Sequence, residues 1–171
     1  MKTIVAIIGD SGSGKTTAAK YMADIFGFNM IVSYTTRPIR PFEIDGIDHW
    51  FVGTKNKPKP EDMCAYTQFG GYEYWTTWEQ IQEGTNLYVI DEKGLENLKA
   101  KTNCPFEYVL ITVKINRRNR ESIDEERKQR DSERIYIPDE SYDFVVNNDS
   151  TMSRFRLALD SVALHIVLGY K

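Results

Sequence analysis

A chain of 171 residues, 41% of them hydrophobic, is long enough to bury one core and too short for two ordinary domains. Its formal net charge of -3 supplies no general attraction to nucleic acid or to an anionic membrane, so any phosphate chemistry must rest on a local cationic site. Two cysteines, Cys64 and Cys104, stand outside any CxxC pair and are expected to remain reduced thiols, and no run approaches the about 18 apolar residues of a membrane span. A soluble, cytoplasmic protein is the expectation, with no nucleic-acid or membrane partner and a monomeric or homodimeric state.

In chain order, Thr3 to Ile8 (TIVAII) is an apolar, partly β-branched run, the pattern of a strand covered on both faces in a parallel sheet. It is too short for a secretory segment. Lys15 to Phe26 follows as a helix, with Ala19, Met22, Ala23 and Phe26 at helical spacing and Gly27 placed to end it. Short apolar runs recur at Met30 to Val32, Leu87 to Ile90, Tyr108 to Val113 and Phe144 to Val146, with room for crossover helices between them. The expected fold is therefore α/β, a three-layer domain around a parallel sheet of about five strands.

Two stretches interrupt that rhythm. Residues 34 to 83 are rich in aromatics, Pro and Gly, with short alternating pieces at His49 to Val52 and Gln68 to Trp75, and read as a small β-rich insertion. Thr77 and Gln80 resemble a capping box opening a short helix. Asn116 to Arg134 is almost wholly charged and reads as a solvated helix with i,i+4 pairs. Met152 to Leu168 is amphipathic, with Phe155, Leu159, Val162, Ala163 and Ile166 on one side, Ser150 or Thr151 as cap and Gly169 as stop. It is expected to pack, not to do chemistry.

Gly9-Asp10-Ser11-Gly12-Ser13-Gly14-Lys15-Thr16 satisfies G-x-x-x-x-G-K-[ST] between a buried strand and a helix, the context in which the pattern has a mechanism. Glycines let successive N–H groups converge on phosphate oxygens, and the helix N-terminus adds a partial charge of about +0.5. Gly9, Ser11, Gly12, Ser13, Gly14, Lys15, Thr16 and the following Thr17 are thus the expected ATP-binding residues. Lys15 would reach the β and γ phosphates, and the Thr16 hydroxyl suits Mg²⁺. Asp91, at the end of a strand, is either a carboxylate serving the metal or the acceptor, or the N-cap of the next helix.

Ser33 to Val52 (SYTTRPIRPFEIDGIDHWFV) resembles the acceptor segment of guanylate kinases, S-x-T-T-R-x-x-R-x-x-E-x-x-G-x-D-Y-x-F-V. Arg37 and Arg40, three apart on a loop held by Pro41 and Gly46, can grip one phosphate dianion. Gln68 to Thr76 resembles the family's F-G-x-x-Y-G-[ST] strand pair, and Val145 to Asp149 its V-V-N-D stretch. The resemblance implies a core of residues 1–33, 84–115 and 135–171, an acceptor-binding part at 34–83 and a lid at 116–134. It further implies that Ser33, Arg37, Arg40 and Tyr74 hold the acceptor phosphate, that Thr76 lies at the base, and that Asn147 meets the adenine of ATP. Arg120 with Arg127 or Arg130 would close on the phosphates.

The chain also departs from the family pattern. His49 replaces the tyrosine after G-x-D; it can still donate to phosphate and brings pH sensitivity. The glutamate that reads guanine falls on Ala65, with Gln68, Glu61 or Glu73 as substitutes if the register shifts. One aspartate of D-x-D-x-Q-G is missing, and Trp75 replaces a glycine, where it would narrow the base pocket or stack on the base. The function implied is transfer of the ATP γ-phosphoryl group to GMP or dGMP. The alternatives are a kinase for another (deoxy)nucleoside monophosphate and a non-catalytic protein-binding module.

Overall fold

In the computed structural model, which describes residues 1–53, 56–69, 71–101, 106–116, 125–132 and 134–169, the apolar run at the N-terminus becomes the middle strand of a sheet. The strands are Lys2–Ile8 (β1), Asn29–Ile31 (β2), Gly84–Val89 (β7), Glu107–Lys114 (β8) and Phe144–Asn147 (β9), in the order β2-β7-β1-β8-β9 and all parallel. Ile4 to Ile8 are fully buried, as a central strand covered on both faces requires. Alternate β1 side chains enter opposite layers. Val5 and Ile7 join Met22, Phe155 and Leu159 of the helices Lys15–Phe26 (α1) and Met152–Leu168 (α4). Ile4, Ala6 and Ile8 join Leu95 and Leu98 of Glu92–Lys101 (α2), together with Cys64 and Ala65. This is the three-layer α/β arrangement expected from the sequence.

The helix limits follow from local chemistry. Gly27 adopts a left-handed φ of 69° and returns its N–H to Ala23 O, which stops α1. The Thr151 hydroxyl accepts from Arg154 N at the start of α4, and Gly169 ends it. The remaining helix, Glu125–Ser132 (α3), lies in the charged run. Among the described residues no helix is long and apolar enough to cross a membrane. Cys64 is buried as a free thiol, and Cys104 lies outside the described residues.

The insertion forms a second sheet in which Tyr34–Thr35 (β3), Trp50–Phe51 (β4), Met63–Phe69 (β5) and Tyr72–Thr77 (β6) run in the order β4-β3-β6-β5. Thr77 and Gln80 make the reciprocal capping box, on a 3-10 turn. Trp75 corrects one expectation: it is 2% exposed and stacks on Tyr34 at 5.9 Å, building this sheet's core and not the wall of a base pocket. Packing β5 on α2 closes a cleft of about 680 Å³ between the insertion and the carboxyl ends of the main sheet.

Candidate functional site

The loop from Gly9 to Thr16 leaves β1 and enters α1 at one end of this cleft. Two of its glycines are dictated by space. A Cβ on Gly9 (φ 152°) would lie 2.3 Å from Val113 O, and one on Gly14 (φ 103°) 2.6 Å from Asn148 Nδ2. Lys15 Nζ donates to the carbonyls of Gly9 at 2.8 Å and Asp10 at 2.6 Å, so the ammonium bridges the loop's first turn. Gly9, Ser11, Gly12, Gly14, Lys15, Thr16 and Thr17 all line the cleft, and Ser13 is fully buried behind them with no partner for its Oγ. An orphaned hydroxyl and an ammonium carried on one glycine-rich loop fit the acceptor-only oxygens of a polyphosphate. Thr16 supplies one hard oxygen, and among the described residues no group of three or more His, Cys, Asp or Glu could cage a metal. A single protein hydroxyl suits Mg²⁺, which keeps several of its waters.

Asn148 packs behind the loop, next to Asn147, the residue expected at the donor base. Asn148 Nδ2 donates to Ser13 O at 2.9 Å, whereas Asn147 is exposed at the end of β9. Asp91 is exposed on the cleft wall, and its Oδ1 accepts from Gly94 N at 2.6 Å, so it caps the start of α2.

At the acceptor end, Arg37 is 4% exposed and paired side-on with Glu43, Nη1 to Oε2 at 3.0 Å and Nη2 to Oε1 at 2.9 Å. Glu43 also accepts from Arg40 N at 2.8 Å, which fixes the loop carrying both arginines. Burial lowers the Arg37 pKa, but the bonds to Glu43 outweigh it and raise the net value. Its Nε is buried without a partner, a donor that a phosphate oxygen can satisfy. Ser33 Oγ and His49 Nδ1 lie 2.9 Å apart, and the imidazole packs edge-on against Phe51 and Tyr74. Burial, and then the Arg37 charge, push the His49 pKa down to about 4, so the ring is neutral near pH 7. Ser33, Arg37, Arg40, His49 and Tyr74 all line the same cleft as the phosphate loop.

Neither Glu61 nor Glu73, the insertion carboxylates considered for the base, is among the residues lining the cleft. Ala65 is buried, pairs with Thr76 across β5 and β6, and faces the cleft. Glu73 is held by Tyr66 OH at 2.6 Å and by Lys57, off the cleft wall. Glu61 is exposed in a 3-10 turn. Thr76 is fully buried behind the wall, its Oγ1 2.8 Å from Tyr88 OH and 3.1 Å from Cys64 Sγ. Of the candidate substitutes only Gln68 lines the cleft.

Sequence reasoning missed a polar cluster where the charged run returns to the loop. Arg134 donates to Glu92 through Nη2 at 2.6 Å and Nε at 3.2 Å, and to Asp10 Oδ1 through Nη1 at 3.0 Å. Tyr136 OH donates to the same Asp10 oxygen at 2.9 Å. Asp131, on α3, accepts from Ser11 N and Ser11 Oγ. The residues bonded here are more than 40 positions apart, which no local pattern encodes. Arg127 and Arg130 belong to α3, but their side chains lie outside the described structure, as does Arg120 altogether.

A model of the guanylate kinase family matches residues 1–156. The chain is 32% identical over 141 residues to the guanylate kinase of Chlamydia caviae, covering 76% of this chain and 66% of that protein. It is 31% identical over 113 residues to that of Rhodopseudomonas palustris strain CGA009, covering 59% and 50%. The match to the Lactobacillus acidophilus guanylate kinase is 28% over 167 residues, covering 86% and 81%. The chain thus spans about half to two thirds of the length of the first two relatives. The crystal structure of guanylate kinase from Anaplasma phagocytophilum shares the fold, with a TM-score of 0.65 at 19% identity over 99% of this chain and 86% of that one.

Proposed function

The chain belongs to the guanylate kinase family, and on that premise we propose that it transfers the γ-phosphoryl group of ATP to GMP or dGMP, releasing ADP and GDP or dGDP. The observation that carries this reading is the single cleft of about 680 Å³ with Lys15 and the phosphate loop at one end and Arg37, Arg40, Ser33, His49 and Tyr74 at the other. Two phosphate-binding sets facing each other suit an in-line transfer between two bound phosphates. Such a reaction needs positioning and charge stabilisation more than covalent help.

The loop N–H groups and Lys15 hold the donor phosphates, and Lys15 offsets charge on the transferring group. Arg37, pre-aligned by Glu43, and Arg40 orient the acceptor phosphate. Ser33, Tyr74 and neutral His49 complete its hydrogen bonds. Thr16 would hold Mg²⁺, which when bound offsets charge on the donor phosphates. Asn147 borders the donor base, Asp91 the metal or the acceptor, and Arg120, Arg127 and Arg130 close over the phosphates, excluding water. The cytoplasm, where ATP and nucleotides are at hand, is the proposed location.

A second reading, a kinase for another (deoxy)nucleoside monophosphate, is favoured by Ala65. The intact phosphate loop speaks against a non-catalytic binding module. The test is coupled ADP release with GMP, dGMP, AMP, CMP, UMP and dTMP, for the wild type and Lys15→Ala. Acceptor-dependent ADP release that falls by about 100-fold or more in Lys15→Ala supports the kinase reading. No acceptor-dependent release from the wild type, or full activity in the variant, overturns it.

A further inference from the structure

The contact between α3 and the phosphate loop is built like an anion site with its anion supplied by the chain. Ser11 N–H donates to Asp131 Oδ1 at 3.1 Å and Oδ2 at 3.1 Å, and Ser11 Oγ–H donates to Oδ1 at 2.9 Å. Both residues are buried, Ser11 at 3% and Asp131 at 7% exposure, and both line the cleft. The contact is clipped in place from the side. Tyr136 OH bonds Asp131 O at 3.3 Å and Asp10 Oδ1 at 2.9 Å, while Arg134 ties Asp10 to Glu92.

Which phosphate this position serves follows from Lys15. Its ammonium reaches back to the carbonyls of Gly9 and Asp10, so it lies at the start of the loop next to Ser11, whereas the N-cap of α1, Gly14, is at the loop's other end. In a loop of this type the lysine reaches the β and γ phosphates, and the helix end holds the inner ones. Ser11 N–H is therefore at the terminal-phosphate end. A carboxylate and a phosphate offer the same chemistry there, acceptor oxygens carrying negative charge. They cannot share one N–H, and their charges repel.

We propose that the Asp131 carboxylate stands in for the terminal phosphate of the donor: it occupies Ser11 while no γ-phosphate is present and is displaced when ATP binds. Asp131 is thus a specificity-determining residue that weighs ATP against ADP. ADP leaves the Asp131 contact intact, and ATP must break it. When the γ-phosphoryl group departs, Asp131 returns to Ser11 and favours the ADP state. This inference rests on the reading that the loop binds a nucleoside triphosphate.

The experiment measures Kd by calorimetry, with Mg²⁺, for ADP and for the non-hydrolysed β,γ-imido analogue of ATP. The proteins are the wild type, Asp131→Asn and Asp131→Ser. Asn keeps the volume and can still accept Ser11 N–H, so it guards the fold, and Ser removes the carboxylate by a second route. The expected result is that both variants bind the ATP analogue about fivefold or more tighter relative to ADP, with ADP affinity changed by less than about twofold. Weaker binding of the ATP analogue, or an equal shift for both nucleotides, overturns the proposal while leaving the donor site in place. Failure of the wild type to bind either nucleotide overturns the donor reading itself.

Discussion

Replacing Ala65 by Glu tests how the acceptor base is read. Ala65 is 2% exposed, opposite Thr76 in the hairpin, and on the cleft wall, so a longer side chain there enters the space left for the base. Guanine carries two N–H donors on one edge, and adenine carries no such pair. One hydrogen bond to a charged group contributes about 1.5 to 3 kcal/mol, so a single bond corresponds to roughly 10- to 150-fold and two to an upper limit of about 10⁴. Burying the new carboxylate costs stability in the free protein, but that cost is common to both substrates and cancels in their ratio. In AMP complexes the carboxylate is left unpaired, which widens the ratio further. The expected outcome in initial-rate assays at saturating MgATP is a wild-type kcat/KM ratio of GMP to AMP below about tenfold, rising by about tenfold or more in Ala65→Glu. Glu73→Gln should leave the ratio unchanged, since its carboxylate is bonded to Tyr66 and Lys57 away from the cleft. A steep wild-type preference for GMP that Ala65→Glu leaves untouched would refute this reasoning and move base recognition to another part of the wall, such as Gln68.

The acceptor arginines should part company: Arg40→Ala raises the KM for the monophosphate and leaves ATP binding unchanged, whereas Arg37→Ala also strands Glu43 and costs about 3 kcal/mol in denaturant unfolding. Equal losses of ATP and acceptor binding in Arg40→Ala would put that residue on the donor side. For His49 the folded pKa of about 4 lies below the unfolded value near 6.5, so the unfolded state binds the extra proton. Its contribution is complete above the unfolded value and is lost as pH falls toward 4, by about 3 kcal/mol in all. Denaturation of wild type and His49→Tyr between pH 7 and about pH 4 should therefore converge toward acid, and parallel curves would show that His49 titrates normally. Phe42 is fully exposed at a φ of 70°, so Phe42→Gly, which relieves the left-handed strain and gives back some unfolded-chain entropy, should gain about 0.5 to 1 kcal/mol; a lower Tm would mean that the ring makes a contact worth more than its strain.

What could be read from the sequence was what is encoded locally. The limits Lys15–Phe26 and Met152–Leu168 came directly from Gly27, Thr151 and Gly169, because a cap acts on the turn next to it. The start of β7 was less visible: Gly84, Thr85 and Asn86 carry no apolar signal, yet they pair with Lys2 to Ile4, and buried Asn86 is satisfied by bonds to Gln82, Gly84 and Thr3. The phosphate loop was legible because its motif fixes geometry. Ala65 is reached by counting back from Phe69 along one strand, and the hairpin pairs it with Thr76. Trp75 was misjudged, since a strand residue's face depends on register, and one step turns a side chain from cleft to core. Asp131 and Arg134 were hidden inside a run whose composition reads as solvent-facing, and only folding brings them against Ser11, Asp10 and Glu92.

The acceptor end shows why a paired arginine can be better suited to a phosphate than two loose ones. A free guanidinium must lose the freedom of its long side chain when the substrate binds, and that loss weakens the complex. Glu43 imposes the loss during folding, since both Arg37 amino groups are already engaged and Arg40 is anchored through its N–H. The cost is charge: Glu43 cancels Arg37 in the sum. A phosphate dianion entering beside Arg40 and His49 therefore meets less positive charge than the sequence motif suggests, and its own charge favours protonation of the imidazole. Acceptor binding should accordingly take up a proton in the range between about pH 4 and the ordinary histidine value, an effect absent in His49→Tyr. Calorimetry of acceptor binding in two buffers of different ionisation enthalpy reads the net proton change, to which the phosphate's own ionisation at about pH 6 contributes, so the imidazole's share is the difference between wild type and His49→Tyr. The same buffer dependence near pH 5.5 in wild type and variant would mean that the imidazole takes up no proton and the phosphate is held by the arginines alone.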